Sequence, residues 1–178
     1  MNADNLNQLW AALVVEELAR HGITHFIIAP GSRSAPLAVA AARNSKVITL
    51  VHFDERGAAF AALGSGKSGK PAVLICTSGT ALANCFPAVA EACLSATPLI
   101  IISADRPPEL QNCGANQTMP QQGIFGNYVR FHETLPCPDA NIPPEFVLTK
   151  IDALAAAIGK PGNGGVAHLN CMYREPLA

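Results

Sequence analysis

Val47-Ile48-Thr49-Leu50-Val51-His52-Phe53 runs directly into Asp54-Glu55-Arg56-Gly57 and then into the alanine-rich stretch Ala58-Ala59-Phe60-Ala61-Ala62-Leu63. Residues 47–53 have the length and β-branched content of a buried strand, and residues 56–63 have the small side chains of a tightly packed helix. Glu55 therefore falls on a strand-to-helix junction. In a parallel α/β sheet that junction lies at the carboxyl edge, where ligands bind. The N-terminus of a helix also favours a negative charge. A carboxylate in this place needs no function beyond complementing the helix dipole, so the other strand ends decide whether it has one.

The same alternation extends in both directions. Residues 4–20 carry Leu6, Leu9, Trp10, Leu13, Val14 and Leu18 at helical spacing, with Asp4 as N-cap and Gly22 as the stop. A strand over residues 23–29 leads into Pro30-Gly31-Ser32-Arg33-Ser34 and then an alanine-rich helix with Pro36 in its first turn. Downstream of Glu55, residues 64–70 read as a Gly/Ser/Lys turn and residues 72–77 as a third buried strand ending in Ser78-Gly79-Thr80. The helix that follows is expected to run to about Leu94, with a kink or break at Pro87. A fourth strand, rich in Ile and Leu, covers residues 99–104 and ends in Asp105-Arg106-Pro107-Pro108, where two prolines oppose an immediate helix. Residues 111–123 form a polar loop too long for a mere connector, and such loops tend to carry function. A weaker strand over residues 128–135, a proline-rich connection over 136–144, a helix over 146–158 and a last strand over 165–172 complete the chain, and residues 174–178 resemble a linker.

Strands that alternate with helices in this way predict an α/β fold: a three-layer α/β/α arrangement around a mostly parallel sheet of about six strands. At 178 residues the chain suits one domain, residues 1–178, with a substantial core. Hydrophobic residues make up 49% and charged ones 14%, which fits a sheet covered on both faces or a surface buried in a larger assembly. A formal net charge of -1 gives no electrostatic case for nucleic acid or an anionic membrane. No apolar stretch has the length of a membrane span, and Met1-Asn2-Ala3-Asp4-Asn5 lacks a signal-peptide pattern, so a cytoplasmic location is expected. The six cysteines, Cys76, Cys85, Cys93, Cys113, Cys137 and Cys171, form no CxxC pair and read as buried free thiols. The histidines are scattered, His21 and His25 being separated by Gly22, so no metal cluster is expected.

Four strand ends carry polar residues that a parallel sheet would bring to one edge: Gly31-Ser32-Arg33-Ser34, Asp54-Glu55-Arg56, Thr77-Ser78-Gly79-Thr80 and Asp105-Arg106. A Gly-Ser-Arg-Ser loop before a helix offers backbone N–H groups and a guanidinium to an anion, and Arg33 can take a carboxylate bidentately. Gly66-Lys67-Ser68 lacks the spacing of a Walker A loop, and no GxGxxG follows the first strand. Ser32 and Ser78 lack the GxSxG elbow of a serine hydrolase. Arg33 and Arg106 together fit a substrate that carries carboxylates.

Four stretches resemble one family closely: Ala29-Pro30-Gly31-Ser32-Arg33-Ser34-Ala35-Pro36-Leu37, His52-Phe53-Asp54-Glu55-Arg56-Gly57, Thr77-Ser78-Gly79-Thr80-Ala81-Leu82-Ala83-Asn84 and Ala104-Asp105-Arg106-Pro107-Pro108-Glu109-Leu110. The chain is similar to the N-terminal, pyrimidine-binding domain of the 2-succinyl-5-enolpyruvyl-6-hydroxy-3-cyclohexene-1-carboxylate (SEPHCHC) synthases, thiamine-diphosphate-dependent transferases of menaquinone biosynthesis. The resemblance covers nearly the whole chain and implies a thiamine-diphosphate-binding fold. It implies that Glu55 hydrogen-bonds N1′ of the aminopyrimidine and favours the imino tautomer that removes the C2 proton, which requires a partly desolvated carboxyl. The apolar run before Glu55 is expected to provide that setting. The resemblance further implies that Ser32, Arg33, Arg106, Asn116 and Gln117 hold isochorismate, with 2-oxoglutarate as second substrate, and that Thr80 and Asn84 flank the pyrimidine.

The family's Gly-Asp-Gly…Asn motif, which holds Mg²⁺ or Mn²⁺ and the diphosphate, is absent from this sequence. The resemblance therefore implies a domain separated from its central and diphosphate-binding domains and inactive alone. It also implies an interface with the diphosphate domain of a neighbouring subunit, within a homodimer or homotetramer. Two alternatives stand beside it: the pyrimidine domain of another thiamine-diphosphate 2-oxoacid decarboxylase or synthase, and a non-catalytic flavodoxin-like binding module. Arg33 and the Asp-Arg-Pro-Pro-Glu stretch speak against the first.

Overall fold

The computed structural model describes residues 5–160 and 162–177. Asp4 lies outside them, and the cap of the first helix is Asn5, whose side chain accepts from the Gln8 N–H at 2.9 Å. In chain order the elements are α1 (Leu6–Arg20), β1 (His25–Ile28), α2 (Ala35–Arg43), β2 (Ile48–Val51), α3 (Glu55–Lys67) and β3 (Ala72–Cys76). There follow α4 (Thr80–Ala83), α5 (Phe86–Leu94), β4 (Leu99–Asp105), β5 (Phe131–Leu135), α6 (Pro144–Ile158) and β6 (Val166–Met172).

The six strands form one parallel sheet in the order β2-β1-β3-β4-β6-β5. Alternate residues along the strands point to opposite faces, and the two faces carry separate cores. Trp10, Val14 and Leu18 of α1, Leu37 of α2 and Val147, Ile151 and Leu154 of α6 pack with Phe26, Val73, Ile75, Ile100 and Ile102 on one side. Ala58, Ala59, Ala62 and Leu63 of α3, Leu82 of α4 and Ala88 and Val89 of α5 pack with Ile27, Leu74 and Ile101 on the other. This is the expected three-layer α/β/α arrangement. The central strands β3, β4 and β6 are buried at every position, as their predominantly apolar sequences favour.

The strand that opened the sequence reading is different. β2 pairs only with β1, stands at the edge of the sheet, and is exposed at every residue. Ile48, Leu50 and Val51 are more than half exposed and Phe53 is 90% exposed. The expectation of a buried strand is corrected here: composition cannot distinguish a central strand from an edge strand whose apolar side chains meet no layer of this chain.

Two boundaries also move. α3 continues through Gly64 and Gly66 to Lys67 instead of stopping at a turn. A Cβ on Gly66 would lie 2.4 Å from the Pro98 carbonyl oxygen, so that glycine answers to a close backbone approach and not to a helix stop. The helix break near Pro87 falls before it, between α4 and α5, because proline is tolerated in the first turn of α5. The weak strand shortens to β5, its first expected residue forming instead part of a single 3₁₀ turn, Gly126–Tyr128.

Candidate active site

In a parallel sheet every strand ends at the same edge, so the loops after β1, β2, β3 and β4 share one rim. The loops after β1 and β3 touch directly: a Cβ on Gly31 would lie 2.3 Å from Thr77 Cβ, so only glycine permits the contact. Arg33 follows this turn and is buried. Its Nη1 donates to the Tyr173 carbonyl at 3.1 Å, its Nη2 donates to Glu175 Oε1 at 3.2 Å, and its buried Nε has no partner among the described residues.

Arg106 lies at the end of β4. Its backbone N–H donates to Asp105 Oδ1 at 2.7 Å, and its Nη1 donates to the Ser78 hydroxyl. Burial lowers its pKa, and the nearby Arg33 guanidinium adds to that shift. The Ser78 hydroxyl in turn donates to the Gln117 carbonyl at 3.2 Å, and Gln117 Nε2 donates to the Ser78 carbonyl at 3.1 Å. Arg33, Arg106, Ser78 and Gln117 are thus brought to one place. Ser32 is exposed and lines an open groove with Ala35, Glu175, Pro176 and Leu177. Asn116, Thr80 and Asn84 are exposed, with no side-chain hydrogen bond among the described residues.

Glu55 is the first residue of α3 and is half-buried. The capping duty falls on Asp54, whose Oδ1 accepts from the Arg56 N–H at 2.8 Å and whose Oδ2 accepts from Arg56 Nη2 at 2.8 Å. Those hydrogen bonds from Arg56 hold the Asp54 carboxyl at about 2. Glu55 itself makes no hydrogen bond or ion pair among the described residues. A carboxylate that only served the helix dipole would be redundant beside Asp54. The poorly hydrated setting expected from its own strand is not supplied by β2, which is exposed.

Beneath the rim runs a buried polar chain that the sequence reading missed. Gln121 Oε1 accepts from the Gly79 N–H at 2.7 Å, and its Nε2 donates to the Ala104 carbonyl at 3.1 Å and to Asn170 Oδ1 at 2.8 Å. Asn170 Nδ2 donates to Asp105 Oδ2, and Ser103 Oγ donates to Asn170 Oδ1, both at 2.8 Å. Ser103 Oγ also lies 2.8 Å from His168 Nε2, and the Nδ1 atoms of His168 and His132 are 3.2 Å apart. At the far end the Gly123 N–H donates to His132 Nε2 at 3.1 Å. An amide N–H can only donate, so His132 carries its proton on Nδ1, His168 accepts there, and His168 Nε2 donates to Ser103. The whole chain is satisfied only while both imidazoles are neutral.

A pH dependence follows. Burial pushes His168 down to about 3 and also lowers His132. Between the ordinary 6.5 and these lower values the unfolded chain holds more protons, so the contribution is complete above about 6.5 and is lost as pH falls towards 3. Asp105, raised by burial, acts in the opposite sense. Urea unfolding is expected to show stability falling between pH 6.5 and 5, at up to about 1.4 kcal/mol per pH unit for each fully engaged imidazole. Changing His132→Leu together with His168→Leu should flatten that slope; an unaltered slope in the double variant would refute the assignment.

Residues 10–128 match the family model described as thiamine pyrophosphate enzyme, N-terminal TPP binding domain, thiamine pyrophosphate being another name for thiamine diphosphate. The chain belongs to this family. It is similar to proteins named 2-succinyl-5-enolpyruvyl-6-hydroxy-3-cyclohexene-1-carboxylate synthase from Shewanella baltica (strain OS155) and Shewanella oneidensis. Each is 52% identical over 177 residues, 99% of this chain. The chain spans 30% of the length of these relatives.

Within this TPP-binding domain, Ser103, Gln121, His168 and Asn170 are the residues missed from the sequence. Their signal was present as polar side chains breaking apolar strands: Ser103 and Asn170 are partners in the β4–β6 register. All six cysteines are free, four of them buried, while Cys93 is half-buried and Cys113 exposed. Glu17, His21 and Asp152 bring one ligand atom each within 4.8 Å of one another at the surface between α1 and α6. His21 Nε2 and Asp152 Oδ1, 2.7 Å apart, join these helices, and Glu17 is also paired with Arg20 at 3.2 Å. Among the described residues no helix is long and apolar enough to cross a membrane.

Proposed function

We propose that this chain, residues 1–178, is the single pyrimidine-binding domain of a thiamine-diphosphate-dependent transferase of menaquinone biosynthesis. The whole enzyme decarboxylates 2-oxoglutarate and adds the succinyl unit to isochorismate, giving SEPHCHC and CO2. The observation that carries the reading is the uncommitted Glu55 carboxylate on the rim where Arg33 and Arg106 lie, its capping role having passed to Asp54.

The residues present fit the cofactor. A carboxyl that must share a proton with a pyrimidine nitrogen needs a free oxygen, and Glu55 makes no hydrogen bond or ion pair among the described residues, the neighbouring Arg56 guanidinium being held by Asp54. When bound, thiamine diphosphate supplies the electron sink for decarboxylation of the 2-oxoacid. Glu55 would hold the proton at the pyrimidine N1′ position, with Thr80 and Asn84 flanking the ring. Arg33, with an unpartnered Nε, and Arg106 receive the carboxylates of isochorismate, with Ser32, Asn116 and Gln117 completing its site. Mg²⁺ or Mn²⁺ and the diphosphate are held by a domain outside this chain, contributed by a neighbouring subunit of a homodimer or homotetramer. The bare apolar side chains of Ile48, Leu50, Val51 and Phe53 support such a contact. Free thiols support a reducing, cytoplasmic location.

The full-length protein carrying this chain is expected to form product only when isochorismate, 2-oxoglutarate, thiamine diphosphate and Mg²⁺ or Mn²⁺ are all present. Turnover with pyruvate that ignores isochorismate would replace this reading with that of an ordinary 2-oxoacid decarboxylase.

A further inference from the structure

Along the polar loop over residues 111–123, Gln121 alone is buried, at 2% exposure. The loop arches over space instead of packing flat: together with Asp105 it lines a cleft of about 230 Å³. Among the described residues, the hydrogen bonds that join residues 112–122 to the rest of the chain run through Gln117 and Gln121. The Gln117 tie is exposed, so water competes for it. Gln117 also stands at φ 55°, in the left-handed region that a residue other than glycine keeps only when its surroundings hold it there.

Gln121 is the buried tie, and its amide uses every group it has. Oε1 accepts from the Gly79 N–H at 2.7 Å, while Nε2 donates to the Ala104 carbonyl at 3.1 Å and to Asn170 Oδ1 at 2.8 Å. One acceptor and two donors at this reach are what a glutamine amide supplies. Two of the three partners adjoin groups of the candidate site. Gly79 follows Ser78, whose hydroxyl receives Arg106 Nη1 and donates to the Gln117 carbonyl. Ala104 lies two residues before Arg106 on β4. Loop and turn are also in close contact, since a Cβ on Gly79 would lie 3.0 Å from Gln117 Cγ. One buried side chain thus sets the loop against both the turn after β3 and the end of β4.

We propose that Gln121 is a positioning residue for isochorismate, registering the loop that carries Asn116 and Gln117 against the turn and strand end that carry Ser78 and Arg106. The inference rests on the reading above, in which Asn116, Gln117 and Arg106 hold that substrate. Without the Gln121 amide the loop keeps its exposed tie at Gln117 and spends much of its time in arrangements where the two side chains miss the ligand. Substrate binding then has to restore the competent arrangement, which weakens binding and leaves the chemistry of the bound complex as it was.

The test uses the full-length protein. Gln121→Met keeps the length of the side chain and removes all three hydrogen bonds. The KM for isochorismate is expected to rise about tenfold to hundredfold, as when the competent loop falls to between about a tenth and a hundredth of the population. The values of kcat and of the KM for 2-oxoglutarate should stay within about threefold of the parent. A merely structural role would move all three together, and that outcome overturns the proposal, as does an unchanged KM for isochorismate. Gln121→Glu, measured beside it, is isosteric with the parent; it keeps the acceptor for Gly79, but its carboxylate cannot donate to the Ala104 carbonyl or to Asn170. The same split is expected of it. If neither variant folds, Gln121 is a structural residue and the proposal falls. Gln117→Ala distinguishes failure of the underlying reading: if it leaves the KM for isochorismate at the parent value, the loop does not hold that substrate. If it raises that KM while both Gln121 variants leave it unchanged, only the positioning role is lost.

Discussion

Glu55→Gln in the full-length enzyme is expected to lower kcat by about 10²–10⁴-fold, the range over which positioned acid–base groups contribute. The substitution keeps the size and shape of the side chain and removes its ability to hold and return a proton. Structure gives no reason for a loss of stability: Glu55 makes no hydrogen bond or ion pair among the described residues, and the start of α3 is secured by Asp54. The unfolding midpoint should therefore stay at the parent value while turnover collapses. Binding of thiamine diphosphate, followed by calorimetry, separates weaker binding from failed activation. A variant with parental turnover would remove Glu55 from the chemistry.

The second large effect is one of stability. Asn170→Leu keeps the branched shape of the side chain, though it is bulkier, and strips the hub of the buried chain. Three groups lose a partner: the Ser103 hydroxyl, Gln121 Nε2 and Asp105 Oδ2. Gln121 Nε2 keeps the Ala104 carbonyl and Ser103 Oγ keeps His168, so the cost is that of the lost bonds. That is about 0.5–1.5 kcal/mol for each neutral one and about 1.5–3 kcal/mol for the one to the Asp105 carboxylate. Water has little access, since Ser103 and Asn170 are fully buried. A total loss of about 3–5 kcal/mol is expected. Denaturant unfolding at pH 7 measures it. A loss below about 1 kcal/mol, within the range of an ordinary substitution, would show that the network is not a cohesive unit.

How far the chain could be read in advance divides along physical lines. Local pattern located all six strands and the parallel class, because β3, β4 and β6 are buried at every position and their sequences are mostly apolar. It also collected Arg33, Glu55 and Arg106 at the sheet's carboxyl edge, since strand direction alone brings them there. What escaped was information held between distant segments. The apolar residues of β2 read as interior, although the sheet order leaves them uncovered. Asn170 and His168 are unremarkable polar residues until β6 inserts between β4 and β5 and sets them against Ser103 and His132. Gly66 reads as part of a turn because the Pro98 backbone that demands a glycine there lies on a different element.

The edge position of β2 has a dynamic consequence for the acid that follows it. With one neighbour only and no covering layer, its backbone amides can exchange with solvent through small local openings, while those of β4 wait for global unfolding. Glu55 therefore sits at the hinge between the most labile strand and a well-packed helix. Whatever clamps that strand also steadies the carboxyl.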